Sequence, residues 1–353
     1  MEEITGREAE KAILKKLSES QEPELLALYG RRRVGKTYLI KTYFKNNIAF
    51  SCSGQYLGKT KEQLINFALQ LNHYFPDRKP EFPPITWQEA FLQLAKCLET
   101  TNHKGKKVVF FDELPWLDNH KSGFLSSFSY FWNIHASRMN DILVIICGSA
   151  ASWIIDKVLN NRGGLHNRVT QRMRLLPFNL EETETYLKKR NIQLDRYQLF
   201  QIYMVMGGIP HYLNSIERGK SAAQTIDKAC FSKDGILAGE FDNLYAALFN
   251  EPERHIHLIR ALAKKNKGLT RTELLENGKL FTGGGITKVL NELIESGFVD
   301  KIYPFNHVEK NALFKLTDEF SLFYYRFMQN IKPGHHPGWL TMINSNSYVS
   351  WSG

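Results

Sequence analysis

Short apolar runs alternate with stretches of helical spacing over the first half of the chain. Residues 25–29 and 48–53 are brief apolar runs, and residues 108–111 and 142–147 are continuous ones. Strands buried on both faces read in this way and belong to parallel sheets. Residues 172–176 are a weaker fifth strand candidate. Residues 1–17, 61–75 and 87–101 carry apolar positions at helical spacing, and a further helix starts at Lys36. A proline-rich link (Pro76, Pro80, Pro83, Pro84) separates two of these helices. Strands alternating with helices predict a layered α/β domain.

After Pro177 the pattern changes. Residues 180–250 read as helical, broken at Gly207, Gly208 and Pro210. Residues 254–267 form a basic amphipathic helix, and a second helix starts at 269–275, with Thr270 as N-cap and Glu273 at the capping-box position. A third follows Gly283-Gly284-Gly285 and ends near Ser296-Gly297, and residues 298–303 and 312–316 predict a hairpin. This is the order of a winged helix. Its recognition helix would be 285–296, offering Thr287, Lys288, Asn291 and Glu292 to a groove of duplex DNA. Residues 251–330 carry twelve basic and ten acidic side chains, so the alternative of a packing or oligomerisation module stays open. Beyond Arg326 the chain is rich in proline, glycine and asparagine, and there is no internal repeat.

Composition narrows the class. Apolar residues make up 43%, aromatic residues 12% and charged residues 23%, which excludes wholesale disorder and collagen-like chains. No run approaches the ~18 apolar residues of a membrane span. The N-terminus is charged and amphipathic, unlike a secretory signal, so a cytoplasmic location is expected and no membrane partner. Lysine and arginine number 46 against 36 acids, a formal charge of +10, which suits nucleotides or nucleic acid as well as plain solubility. Cys52, Cys97, Cys147 and Cys230 lie far apart without metal-ligand spacing and are expected to be reduced thiols.

Gly30-Arg31-Arg32-Arg33-Val34-Gly35-Lys36-Thr37 fits G-x-x-x-x-G-K-[ST], with an apolar strand before it and a helix after it. Glycines let the backbone turn its N–H groups toward phosphates, and the helix adds its dipole. Lys36 would reach the β- and γ-phosphates, and Thr37 would hold Mg²⁺. Tyr38, next in the chain, belongs with these nucleotide-contacting candidates. Arg31, Arg32 and Arg33 would meet phosphate through the backbone, their side chains facing solvent or DNA. Asp112-Glu113 ends the run 108–111, where open α/β sheets bind ligands. Asp112 would bind Mg²⁺, and Glu113 would act as general base on the attacking water; an acidic helix cap is the alternative. Ser149 follows the run 142–147 and would sit beside Glu113 if that strand lies between the other two. It would then sense the γ-phosphate or orient water, or else cap the next helix.

Together these residues resemble the AAA+ class of P-loop ATPases, and more closely the archaeal-type ATPases, which also occur in bacteria and are related to the STAND and origin-recognition ATPases. Gly6-Arg7-Glu8 resembles a G-R-E segment that lies near adenine, which implies a nucleotide-binding role for Arg7. Leu165-His166-Asn167-Arg168 resembles an L-x-G-R segment, with His166-Asn167 departing from its usual Tyr-Gly. Arg168 would be a finger completing a neighbouring subunit's site, an arginine acting within its own subunit, or part of a solvated basic stretch with Arg162, Arg172 and Arg174. Pro177-Phe178 and Gly207-Gly208-Ile209-Pro210-His211-Tyr212 resemble the family's P-F and G-G-x-P-x-Y signatures, with Pro210 either packing on adenine or breaking a helix. Trp351-Ser352-Gly353 resembles the opening of a nuclease-like C-terminal domain, most or all of which this chain would lack, so no nuclease activity is expected.

The resemblance implies a P-loop ATPase core at 1–177, a helical lid at 178–250, a winged helix at 251–325, and a linker with the start of a truncated domain at 326–353. The implied function is Mg²⁺-dependent ATP hydrolysis driving a conformational or assembly switch, with duplex DNA and a homo-oligomer as candidate partners. The alternative is a nucleotide-gated DNA-binding or interaction module with little turnover. No N-K-x-D motif argues for guanine.

Overall fold

The computed structural model describes residues 3–78, 82–101, 103–160, 163–165, 167–249, 251–277, 283–303, 312–334, 338–343 and 345–352. Pro80, Arg162, His166 and Gly353 lie outside them. The chain divides into two compact units: Met1–Gly30 with Lys36–Leu175, and Arg31–Gly35 with Leu176–Gly353.

The first unit is built on a five-stranded parallel sheet of β1 (Glu24–Tyr29), β2 (Ile48–Ser53), β3 (Lys107–Asp112), β4 (Ile142–Gly148) and β5 (Gln171–Arg174). Their order is β2-β3-β4-β1-β5. β3 and β4 are interior strands buried at every position, which is why their sequences are unbroken apolar runs. The edge strand β5, Gln-Arg-Met-Arg, buries Met173 alone, which explains its weak signal. Helix Thr60–Tyr74 packs on β2, and helix Trp87–Thr100 packs on helix Phe124–Ile134. Thr86 caps one of these by accepting from the Glu89 N–H at 3.2 Å. The core beneath them is aromatic: Phe91 lies 5.3–5.8 Å from the rings of Phe111, Phe124, Phe128 and Phe131.

The second unit is mostly helical. Asn179, Asp195 and Ser221 each accept from the N–H three residues on, opening helices Leu180–Lys189, Arg196–Met206 and Ala222–Ile226. Helix Pro252–Ala263 leads to β6 (Leu269–Thr270), helices Arg271–Asn277 and Gly283–Glu295, then β7 (Val299–Ile302) and β8 (Leu313–Leu316). The three strands form an antiparallel sheet in the order β6-β8-β7. This is the element order expected of a winged helix. The Thr270–Glu273 reciprocal cap forms as expected, with Thr270 N–H to Glu273 at 2.8 Å and Glu273 N–H to Thr270 Oγ1 at 3.2 Å. Within the stretch read as a linker, Trp339 is buried against Phe231, Phe323 and Phe327, and Trp351 packs on the same group.

Glu319 follows the helix cap Asp318 and lies so close to Gly207 that a Cβ there would stand 2.6 Å from its carboxylate. Burial, and then the Asp318 charge, push its carboxyl up from 4.5 to about 7. The folded protein therefore holds this proton more tightly than the unfolded chain. The stability it contributes is present below about pH 4.5 and is lost as pH rises through about 7. Glu319→Gln is expected to leave the melting temperature nearly unchanged at the acid end of that window and to raise it above pH 7, by at most about 3 kcal/mol of stability. Equal shifts at both pH values would contradict this assignment.

Candidate active site

Three parallel strands deliver the site residues of the first unit. β4 lies between β1 and β3, the arrangement that brings the residue after β4 beside the one after β3. Gly30 follows β1 with φ 139°, and a Cβ there would stand 2.3 Å from the Leu175 carbonyl oxygen, so only glycine fits this turn. The chain then enters helix Lys36–Tyr43.

Lys36 is buried, and its ammonium donates to the Gly30 carbonyl at 2.8 Å and to Ser149 Oγ at 3.1 Å. Ser149 in turn donates through its hydroxyl to Glu113 Oε1 at 2.6 Å and through its N–H to Glu113 Oε2 at 3.2 Å. Thr37 Oγ1 donates to Asp112 Oδ2 at 2.7 Å, while Asp112 Oδ1 accepts the Glu113 N–H at 3.1 Å. Five of the candidates thus form one hydrogen-bonded cluster. Glu113 has φ 46° and makes no side-chain cap to the next helix, so the capping alternative is not adopted there. Its backbone is left-handed, a cost of order 1–3 kcal/mol that recurs at functional sites. Ser149 does not cap the following helix either, whose N-cap is Ala150. Beneath the cluster, burial and then the Asp112 charge hold the Cys147 thiol well above its ordinary range, so it stays protonated.

The oxygen pair Thr37–Asp112 suits Mg²⁺, which is bound by one or two protein oxygens together with phosphates. Among the described residues no group of three or more His, Cys, Asp or Glu could hold a metal without the nucleotide.

Arg31, Arg33 and Val34 belong to the second unit, and the arginine side chains depart from expectation. Arg31 is 3% exposed rather than turned to solvent. It pairs with Asp318 and lies over the Phe298 ring at 4.7 Å. Burial pulls the guanidinium pKa down, but the charge and hydrogen bond of Asp318 together with Tyr212 and Tyr245 more than offset it, so the guanidinium stays charged. Arg33, at φ 72°, pairs with buried Glu240, which also accepts from Tyr212 at 2.7 Å. Charged groups so deeply buried need partners, and these carboxylates supply them. Arg32 and Gly35 are half-buried, and Val34 is buried.

The remaining candidates have other local settings. Arg7 is buried in a left-handed turn at φ 60° and pairs with Glu10 at 3.4 Å. Tyr38 is 46% exposed. Arg168 is exposed and is held through its backbone, N–H to Leu165 at 3.1 Å. Pro210 begins the short helix Pro210–Leu213 in the second unit, starting a helix rather than ending one. Asp318 and Glu240 were missed as partners of the loop arginines. Their only sequence signals are single acids far along the chain.

The family model described as an ATPase domain predominantly from Archaea matches residues 4–216. An uncharacterized protein of Methanocaldococcus jannaschii is 26% identical over 327 residues, which are 92% of this chain and 69% of that protein. Among solved structures, the Walker-type ATPase of Pyrococcus abyssi is similar with a TM-score of 0.65 at 18% identity, covering 92% of this chain and 96% of the other. The Aeropyrum pernix ORC2 protein, solved as ADPNP–ADP complexes, has a TM-score of 0.54 at 16% identity, with 92% of both chains covered. Both structures share the α/β P-loop fold.

Proposed function

The chain belongs to a family of ATPase domains found predominantly in Archaea, and from that premise we propose a magnesium-dependent ATPase centred on Lys36, Thr37, Asp112, Glu113 and Ser149. The observation that carries these roles is the continuous bonding from Lys36 through Ser149 to Glu113, beside the Thr37–Asp112 pair. Lys36 would exchange its Gly30 bond for the β- and γ-phosphates. Thr37 and Asp112 would hold Mg²⁺, which when bound neutralises charge on the phosphate oxygens. Glu113, fixed by two bonds from Ser149, accepts a proton from water as the water oxygen bonds to the γ-phosphorus. The bond from that phosphorus to the bridging oxygen breaks, leaving ADP and phosphate.

The backbone of Arg31, Arg32, Arg33, Val34 and Gly35 would cradle phosphates. Arg7, Tyr38 and Pro210 remain candidates for the nucleoside. The output would be a change in assembly or in engagement of duplex DNA by helix Gly283–Glu295. The ORC2 protein's likeness to this chain supports the fold on which such an output would rest. No helix among the described residues is long and apolar enough to cross a membrane, in keeping with a cytoplasmic ATPase.

The assembly reading is tested by mixing. Exposed Arg168 has the freedom to reach a second copy. Arg168→Ala is expected to keep ATP binding and lose at least tenfold in turnover, since arginine fingers supply ~10³–10⁵ in comparable sites. Excess Lys36→Ala protein should restore part of that turnover by lending its intact Arg168. No rescue at any ratio, with specific activity independent of concentration, would reject the shared site.

A further inference from the structure

Basic side chains in the C-terminal part of the second unit are sorted rather than abundant. Residues 251–330 carry twelve basic and ten acidic side chains. Four of those twelve, Arg260, Lys264, Lys315 and Arg326, line one cavity of about 1190 Å³, and none of the acids of that stretch among the described residues does. Asp242, from an earlier helix, is the one acid in the lining among the described residues. The cavity is formed by the end of helix Pro252–Ala263, strand β8 and the turn of helix after it. Among the described residues, helix Gly283–Glu295, the candidate duplex reader, contributes none of the lining.

The lining has a second character. Half-buried Tyr324 lines the cavity and stacks on buried Phe241, with centroids 4.0 Å apart at an interplanar angle of 4°. Tyr325 and Trp351 complete an aromatic margin. One of the cations is held in place, Arg326 by Ser350 Oγ at 3.0 Å. Lys264 is exposed and Lys315 half-buried.

We propose that this cavity is a binding site for single-stranded nucleic acid. A track of cations beside aromatic rings matches a phosphodiester backbone whose bases are free to stack. A base laid on the outer face of Tyr324 extends the stack that this ring makes with Phe241. A duplex keeps its bases paired inside and cannot offer their faces to rings on a cavity wall. Its lining shares no residue with the ATPase cluster or, among the described residues, with the duplex-reading helix, so it adds a ligand to both.

The test uses the full chain and a fluorescent mixed-sequence DNA oligonucleotide, single-stranded or as a blunt duplex, read by anisotropy. With four phosphate contacts, single-strand affinity should fall roughly 50-fold between ~50 and ~200 mM salt. Lys264→Gln combined with Lys315→Gln should weaken binding at low salt and reduce that fall to about 7-fold, while ATP turnover, which these residues do not touch, stays at the parental rate and reports folding. Lys288→Glu with Asn291→Ala should leave single-strand binding unchanged. The proposal is overturned if the parent binds no single strand, if the paired Gln variant binds with the parental affinity and salt dependence, or if single-strand binding is lost in the Lys288→Glu, Asn291→Ala protein instead.

Discussion

Lys36→Ala is expected to weaken MgATP binding by roughly 10- to 150-fold, the worth of one charge-assisted bond of ~1.5–3 kcal/mol. The ammonium is buried and already turned between the Gly30 carbonyl and Ser149. Alanine removes the donor that phosphate would engage and leaves the Gly30 oxygen without that partner. Titration of a fluorescent ATP analogue into parent and variant reads the change directly. An unaltered affinity in a folded variant would remove Lys36 from the site. Lys36→Arg separates charge from shape: the planar guanidinium keeps the charge but cannot follow an ammonium into the same bonds, so it should restore little.

Glu113→Gln should show the opposite split, with ATP binding retained and kcat lowered ~10²- to 10⁴-fold, the usual contribution of a general base. The amide keeps the size of the side chain and can still accept the Ser149 hydroxyl proton through its oxygen, but it does not take a proton from water. Ser149→Ala should have a smaller effect, since it removes the hydroxyl bond to the carboxylate but leaves the one from the backbone N–H. A Glu113→Gln protein that turns over at the parental rate would leave Glu113 as a structural end to β3.

The parts of this site that could be read from the sequence are those written locally. Val108 to Phe111 and Ile142 to Cys147 are apolar at every position because β3 and β4 are interior strands. A polar residue that ends such a run stands where the sheet opens to ligands, so Asp112, Glu113 and Ser149 were legible as chemistry. Their meeting depended on strand order, which periodicity does not encode. It follows from β4 lying between β1 and β3.

The arginines of the glycine loop were legible only as charge. Arg31 finds its partner 287 residues away, and a single acid at that separation leaves no pattern in the chain. Burial there reverses the usual expectation that a loop arginine faces water. The C-terminal segment reads as punctuation because proline, glycine and asparagine dominate it. Trp339, Tyr348 and Trp351 nevertheless pack against one another and against Phe323 and Phe327. Three anchors at irregular spacing give neither a helical nor a strand period, so their burial is a tertiary fact.

Lys36 and Glu113 divide binding from chemistry within one cluster. A single-turnover acid quench tests this division, with protein in excess over radiolabelled ATP and magnesium present, on the parent and Glu113→Gln side by side. Both proteins should bind the nucleotide, the parent should convert it to ADP, and Glu113→Gln should hold it as ATP over the same interval. Conversion at equal rates in the two proteins, or intact ATP bound to the parent indefinitely, would contradict it.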